Sequence, residues 1–398
     1  MNSIKKTDHF YLIDGSGYIF RAYYALPPLS RKSDGMPTGA VNGFCNMLYK
    51  LLEDSRSDDS KNKPTHFAVI FDSARKNFRN DIYKDYKANR TEAPEDLVPQ
   101  FDYIRKSVEA FNITSAEMLN YEADDLIATY TNQILKKGAK VTIISGDKDL
   151  MQLVKPGVRL YDPMKSKVLG EKEVKEKFGV EPNKVIDVQA LAGDSSDNVP
   201  GVPGIGIKTA AELINKYKSL DKLLERANEI PQNKRRETIL KNKDKAILSH
   251  KLVKLKQDVP VKTKIETFIL RAINKEKLYE FLREMEFNRL LSQVISNYGD
   301  SAKEKIKISE GSAKFDLKKY ETILKINDLE KLIQKIEEQG VVAVDTETNS
   351  LNPHEADLVG ISLCYNTDKS FYIPLEHATD KTLDKRSVLE RLKKNFGR

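Results

Sequence analysis

Four short apolar runs, each rich in β-branched residues and each closing on an acidic residue, recur along the chain: Phe10 to Asp14 (FYLID), Phe67 to Asp72 (FAVIFD), Val141 to Asp147 (VTIISGD) and Val341 to Asp345 (VVAVD). Their length and composition predict strands buried on both faces. Helix-length amphipathic segments lie between them, for example Phe44 to Glu53 and Asp124 to Lys137, the second followed by Gly138, which suits a C-cap. Alternating strands and helices predict an α/β fold around a mostly parallel central sheet. Ligands of such sheets gather beyond the carboxyl ends of the strands, where these acidic residues stand. A single Asp there starts a turn as readily as it binds anything; the recurrence points to a site.

From about residue 171 to 295 helical periodicity takes over, broken at Asn198 to Gly206 (NVPGVPGIG), and residues 299–315 are small, polar and charged like a linker. The expected parts are an α/β domain over 1–170, a helical region over 171–298, a linker over 299–315 and a further domain over 316–398. Residues Asp54 to Lys63 and Ala74 to Asp96 carry no core pattern, so they are expected as a surface loop and a mobile charged segment. The 398 residues suffice for more than one core, and no apolar stretch approaches the roughly 20 residues of a membrane span. The N-terminus lacks a signal-peptide core, so a cytoplasmic protein without a membrane partner is expected. Cys45 and Cys364 lie too far apart for a zinc knuckle or a disulfide framework. A net charge of +8 permits nucleic acid as a partner without deciding it.

Carboxylates decide more. Asp14, Asp72, Glu122, Asp124, Asp125, Asp147, Asp149, Asp194 and Asp197 fall at expected strand ends and helix starts. Two apart on a strand end (Asp147, Asp149) or three apart on a helix (Glu122/Asp125, Asp194/Asp197), such residues share a direction. Gathered in one cleft they would repel and raise one another's pKa, which divalent cations relieve. Oxygen donors without His or Cys select Mg²⁺ or Mn²⁺, and their number exceeds the need of one octahedral ion. Two ions for in-line phosphodiester hydrolysis is the expected arrangement.

Two further segments bear on a substrate. Arg75, Lys76, Arg79, Lys84, Lys87 and Arg90 interleave with Tyr83 and Tyr86, which suits either a single strand of nucleic acid or a solvated helix face. Gly201, Gly204 and Gly206 precede Lys208 and Thr209 between helical segments, which suits backbone approach to a phosphate or a plain helix–helix turn. Ile207 before Lys208 rules out a Walker motif.

The segments LIDGSGYIFRAYYA, FDSARKNFRNDIYKDYKANR, YEADDLIATY, SGDKDLMQLV and GDSSDNVPGVPGIGIKTAAELI occur in that order over about the first 290 residues. Together they resemble the 5′ nuclease domain at the N-terminus of bacterial DNA polymerase I, within the flap endonuclease family. The resemblance implies a PIN-like sheet with a helical arch over the site, and the nine carboxylates as ligands of the catalytic metals. It implies that Arg79, Tyr86, Lys87 and Arg90 belong to the arch, with Lys87 and Arg90 on the scissile phosphate. It further implies a helix-hairpin-helix in which Gly201, Gly204, Gly206, Lys208 and Thr209, together with Arg21 of the first segment, contact DNA, with K⁺ at the hairpin. Its implied activity is Mg²⁺-dependent 5′-3′ exonuclease and flap cleavage of DNA bearing a 5′ flap, a nick or an RNA primer, in replication and repair, by a monomer.

VVAVDTETNSLNP, with Asp345 and Glu347, resembles the first motif of a 3′-5′ proofreading exonuclease of RNase H-like fold, and the sequence stops before later motifs. Residues 320–398 are therefore expected to be inactive and partly ordered, with any polymerase supplied by a separate polypeptide. A non-catalytic DNA-junction binder and a small-molecule phosphohydrolase are the alternative readings.

Overall fold

The computed structural model describes residues 3–57, 63–298, 320–350, 355–366, 369–376 and 382–396. The chain forms two compact units, Met1–Gly299 and Asp300–Arg398.

In the first unit six strands, β1 (His9–Asp14), β2 (His66–Ile70), β3 (Thr114–Ala116), β4 (Lys140–Ile144), β5 (Val158–Asp162) and β6 (Lys167–Leu169), lie in the order β3-β2-β1-β4-β5-β6. Neighbours are parallel except β5 and β6. Every residue of β2 is buried, as its unbroken apolar run requires. The order climbs one way from β1 through β2 and the other way through β4, so a crevice opens beyond the carboxyl end of β1.

Helix α1 (Gly15–Ala25) follows β1, and the approach is close: a Cβ on Gly15 would stand 2.8 Å from Val69 and 2.6 Å from Phe71. The neighbours of Val69 in β2, Ala68 and Ile70, point to the other face and share a core with Leu126 and Ile127 of α5 (Ala123–Lys136). Helix α2 (Gly39–Ser57) packs with α1, and α4 (Gln100–Ala110) with α2; α3 (Phe78–Ile82) is a short helix near the sheet's carboxyl edge.

The helical region comprises α6 (Glu171–Phe178), α7 (Val185–Ala192), α8 (Ile207–Tyr217), α9 (Leu220–Glu225), α10 (Asn233–Lys241), α11 (Lys243–Val253), α12 (Lys275–Glu284) and α13 (Asn288–Tyr298). One continuous core runs from Phe10 in β1 through Leu191, Ile214 and Leu223 to Phe268, so the parts expected on either side of residue 170 are packed as one body.

Two local expectations change. Asp194 and Asp197 lie in a turn closed by reciprocal backbone bonds between Asp194 and Val199, not on a helix. Segment 74–96 was expected to be mobile, but Asn77, Arg79 and Tyr86 within it are buried. Polar pairing fixes it where no apolar pattern exists, and its only helix is the five-residue α3. The expected linker and residues 58–62 of the expected surface loop lie outside the described residues.

In the second unit β7 (Tyr320–Thr322), β8 (Ala343–Thr348), β9 (Leu358–Asn366) and β10 (Lys369–Pro374) form a sheet in the order β7-β10-β9-β8. Leu329, Leu332, Ile333 and Ile336 of helix Ile326–Gln339 cover it with a small core. Strand β8 ends the sheet, and all six of its residues, Asp345 and Glu347 included, are exposed, so the run from Val341 to Asp345, expected as a strand buried on both faces, is an edge instead. Among the described residues no helix is long and apolar enough to cross a membrane.

Candidate active site

Three adjacent parallel strands deliver the first carboxylates. Asp14 ends β1 and caps α1, accepting from the Gly17 N–H at 2.8 Å and from Ser145 Oγ at 2.9 Å. Asp72 follows β2 and accepts from the Ala123 N–H at 2.7 Å, which ties it to the start of α5. Asp147 and Asp149 follow β4, and the Asp149 N–H donates to Asp147 Oδ1 at 2.8 Å. The first turn of α5 adds Asp124, its N-cap adds Glu122, and the hairpin turn adds Asp194 and Asp197. Eight of the nine expected carboxylates thus line one cleft of about 180 Å³, with Lys87, Arg90 and Lys148.

Asp125 does not join them. It is 0% exposed and takes a bidentate bond from Arg79, both N···O distances 2.7 Å. Arg79, itself 1% exposed, also donates from Nε to the Leu252 carbonyl at 2.7 Å, and from the other nitrogens to Glu122 at 3.2 Å and the Lys254 carbonyl at 3.3 Å. Its fork is spent on the protein, so the expected catalytic Arg79 and metal ligand Asp125 form a buried clamp behind the cleft.

Burial and crowding govern the cleft's ionisation. Burial, with the Asp147 and Asp72 charges, pushes Asp14 up to about 6 against the Gly17 and Ser145 bonds. Burial and Asp147 push Asp149 up to about 7. Asp124 is driven well above the carboxylate range by burial and then by Asp147 and Asp14, and Asp72 is raised mainly by burial. Asp194 moves the other way: burial would raise it, yet bonds from Lys148 and Ser196 together hold it low.

Basic side chains occupy the spaces between these acids. The Lys87 ammonium bonds Glu122 and lies 3.5 Å from Asp197; Arg90 pairs with Asp197 and Lys148 with Asp194. Burial would lower Lys87, but Glu122 and Asp197 outweigh it and raise its pKa. Lys87 takes a left-handed backbone, φ 56°, held by its N–H on the Asp197 carbonyl at 3.0 Å. Tyr86 Oη donates to Glu122 at 3.1 Å, and burial with Glu122 lifts its phenol far above the ordinary value. Among the described residues no three carboxylates converge into a ready-made ion cage. The donor set, oxygen only and strongly self-repelling, is nevertheless the one hard divalent cations take.

The glycine segment lies beside this cleft, between α7 and α8. Gly201 has φ 56°, and a Cβ there would fall 2.4 Å from the Gly193 nitrogen, so the hairpin closes only with glycine. A Cβ on Gly204 or Gly206 meets nothing within 4 Å. Gly206, Ile207 and Lys208 are exposed at the start of α8, where unsatisfied amides face outward, and Thr209 is half-buried. Arg21 does not line the cleft but lies beside it, 3.8 Å from Asp162 at the end of β5 and against Gly146, the residue before Asp147. Lys148 and Gln189, which contacts Asp149, were not anticipated. Lys148 was readable as the cation inside SGDKD, whereas nothing in the pattern marks Gln189 on a helix that is apolar apart from it and Asp187.

A parallel sheet with carboxylates at its switch point, a basic segment above and a glycine hairpin alongside defines the 5′ nuclease class of α/β proteins. The chain belongs to the 5′-3′ exonuclease family. Residues 9–179 match the model for the 5′-3′ exonuclease N-terminal resolvase-like domain, 180–276 that for its C-terminal SAM fold, and 320–397 that for a 3′-5′ exonuclease. A 5′-3′ exonuclease of Aquifex aeolicus is 39% identical over 71% of this chain and 94% of its own length. DNA polymerase I of Rhizobium leguminosarum is 44% identical over 98% of this chain and 46% of its own, so the chain spans less than half of that relative. Its fold is similar to T5 5′-exonuclease with divalent zinc ions bound (TM-score 0.51, 20% identity, 70% of this chain and 98% of that one). It is equally similar to the catalytic core of Rad2 with a DNA substrate (TM-score 0.51, 14% identity, 75% of this chain and 96% of that one).

Proposed function

We propose that the chain is a Mg²⁺-dependent, structure-specific 5′-3′ exonuclease and flap endonuclease acting on DNA, removing RNA primers and damaged 5′ ends. The observation that carries this reading is the gathering of eight carboxylates in one cleft together with Lys87 and Arg90. Asp14, Asp72, Glu122, Asp124, Asp147, Asp149, Asp194 and Asp197 would hold two divalent ions, Mg²⁺ or Mn²⁺. Bound there, the ions would supply the nucleophile and offset charge on the phosphodiester.

The chain's own groups do the rest. Lys87 and Arg90, whose carboxylate partners would then be engaged, turn their cations to the non-bridging phosphate oxygens and stabilise charge developing there. Tyr86 keeps Glu122 in place, and Arg79 with Asp125 fixes the segment that carries Lys87. No histidine lines the cleft, so no side chain is assigned as general base. The exposed amides of Gly206 and Ile207, with Lys208 and Thr209, would grip the duplex backbone, and K⁺ would sit on hairpin carbonyls; Arg21 is a more distant DNA contact. The protein would act as a monomer, with a separate polypeptide supplying any polymerase.

A 5′-labelled flap substrate with and without Mg²⁺ tests this. Wild type should cut only with Mg²⁺, Lys87→Ala should lose about 10²–10³-fold in kcat, and Asp147→Asn should lose at least as much while still binding DNA. The second reading, a non-catalytic junction binder, draws on Lys87, Arg90 and Lys148 already neutralising the acids. Tight junction binding without cleavage at any Mg²⁺ concentration would establish it and overturn the nuclease.

A further inference from the structure

Gln189 is the one amide side chain carried by α7, the helix that enters the glycine hairpin. It is only 4% exposed, and its Nε2 donates to Asp149 Oδ1. In the form that would hold a metal ion Asp149 is ionised and only accepts, so the NH₂ end faces it. The carbonyl end is buried without a hydrogen-bond partner, an arrangement that folded proteins rarely leave without a reason. A second contact crosses the same gap in the opposite sense: Lys148, from the loop after β4, reaches Asp194 in the hairpin turn. Asp194 is in turn locked to Val199 by backbone bonds of 3.0 and 2.8 Å, and the Gly201 N–H is held by Ser249 Oγ at 2.9 Å. The loop bearing Asp147 and Asp149 and the hairpin bearing Gly201 to Gly206 are therefore cross-tied at two points, each joining a neutral or basic group of one to an acid of the other.

We infer that Gln189 is a positioning residue that holds Asp149 in the ion-binding orientation and, with the Lys148–Asp194 pair, fixes the metal cleft relative to the duplex-gripping hairpin. Asp149 has few other restraints: its own N–H is used on Asp147, and its side chain meets the protein chiefly through Gln189. Partners of this kind orient metal-ligating carboxylates, and their loss typically costs 10–100-fold in metal affinity.

The inference rests on the nuclease reading, and the experiment separates the two. Mn²⁺ is titrated into DNA-free protein, by calorimetry or by the loss of free-ion spin resonance signal, for wild type, Gln189→Met and Gln189→Lys. Kinetics on a flap at saturating Mg²⁺ and thermal melting accompany each titration. Gln189→Met keeps the shape of the side chain and removes its donor; it should weaken Mn²⁺ binding about 10-fold and lower kcat with KM for DNA unchanged. Gln189→Lys restores a donor to Asp149 and should recover most of the Mn²⁺ affinity. Unchanged Mn²⁺ affinity in Gln189→Met, or a loss in both variants equally with the same fall in melting temperature, would overturn the positioning role. If wild type itself takes up no Mn²⁺ and cuts nothing, it is the nuclease reading that fails.

Discussion

Asp14 and Asp149 share a cleft in which burial and mutual repulsion push them up to about 6 and about 7. Both bind protons more tightly folded than unfolded, where an aspartate titrates near 3.9. Their contribution to stability is therefore complete below about pH 4 and lost as pH rises through 6 to 7. Asp72 and Asp124 shift the same way, and Asp194 alone is held low, so the net sign follows the raised group. Protein stripped of metal with EDTA should melt at least ~5 °C higher at pH 5 than at pH 8, given ~2–4 °C per kcal/mol at this size. Adding Mg²⁺ at pH 8 should recover the difference; calorimetric melts at equal ionic strength check both. A metal-free protein that melts higher at pH 8 would contradict this account of the cleft. The acids were legible in the sequence because strand ends are legible. Of the cations among them, Lys87 and Arg90 were named through the resemblance, but the partner of Lys148 was not foreseen, since a Lys between two Asp residues in SGDKD carries no record of which acid it will reach.

At the scale of elements, the segment between β2 and α4 shows where sequence reading failed. Hydrophobic periodicity is blind to it, because what buries it is an arginine. Arg79→Met should cost about 3–5 kcal/mol, since Asp125 would be left charged and unpaired at 0% exposure. Arg79→Lys should rescue little, because an ammonium cannot reproduce the bidentate fork; denaturant melts of both variants test this. Strands β1, β2 and β4, by contrast, were readable from their apolar runs; β3, β5 and β6 carried no such run, and the run at Val341 to Asp345 proved an exposed edge. The hairpin was readable from its glycines. Those glycines divide by role. Gly201→Ala forces a Cβ to 2.4 Å from the Gly193 nitrogen at φ 56°, and should destabilise the fold by about 2–3 kcal/mol. Gly206→Ala meets nothing within 4 Å and has an ordinary φ of −88°, so its melt should match wild type. Its duplex affinity should nevertheless fall several-fold in a fluorescence anisotropy titration. Equal affinity would remove the hairpin from the DNA-binding surface.

Across the whole molecule the chain behaves as two bodies, each with its own core. The carboxylates, the basic segment and the hairpin all belong to the first. Deleting residues 316–398 should therefore leave flap cleavage within about twofold of the full chain, as expected of units that fold separately; a larger loss in single-turnover assays would show that the second unit contributes to the site. The sequence suggested a linker at residues 299–315, which lie outside the described residues. It did not announce that the α/β and helical parts share a core, because period and polarity describe single elements and not what packs between them. The strand order carries a further consequence for biosynthesis. β1 is translated first, yet it pairs with His66 to Ile70 on one side and with Lys140 to Ile144 on the other. At about 5–20 residues per second the central strand waits roughly 7–25 seconds for its second neighbour to be made. Throughout that interval the apolar run Phe10 to Ile13 is without its sheet on at least one side, an unpaired edge of the kind that nascent chains shield with chaperones.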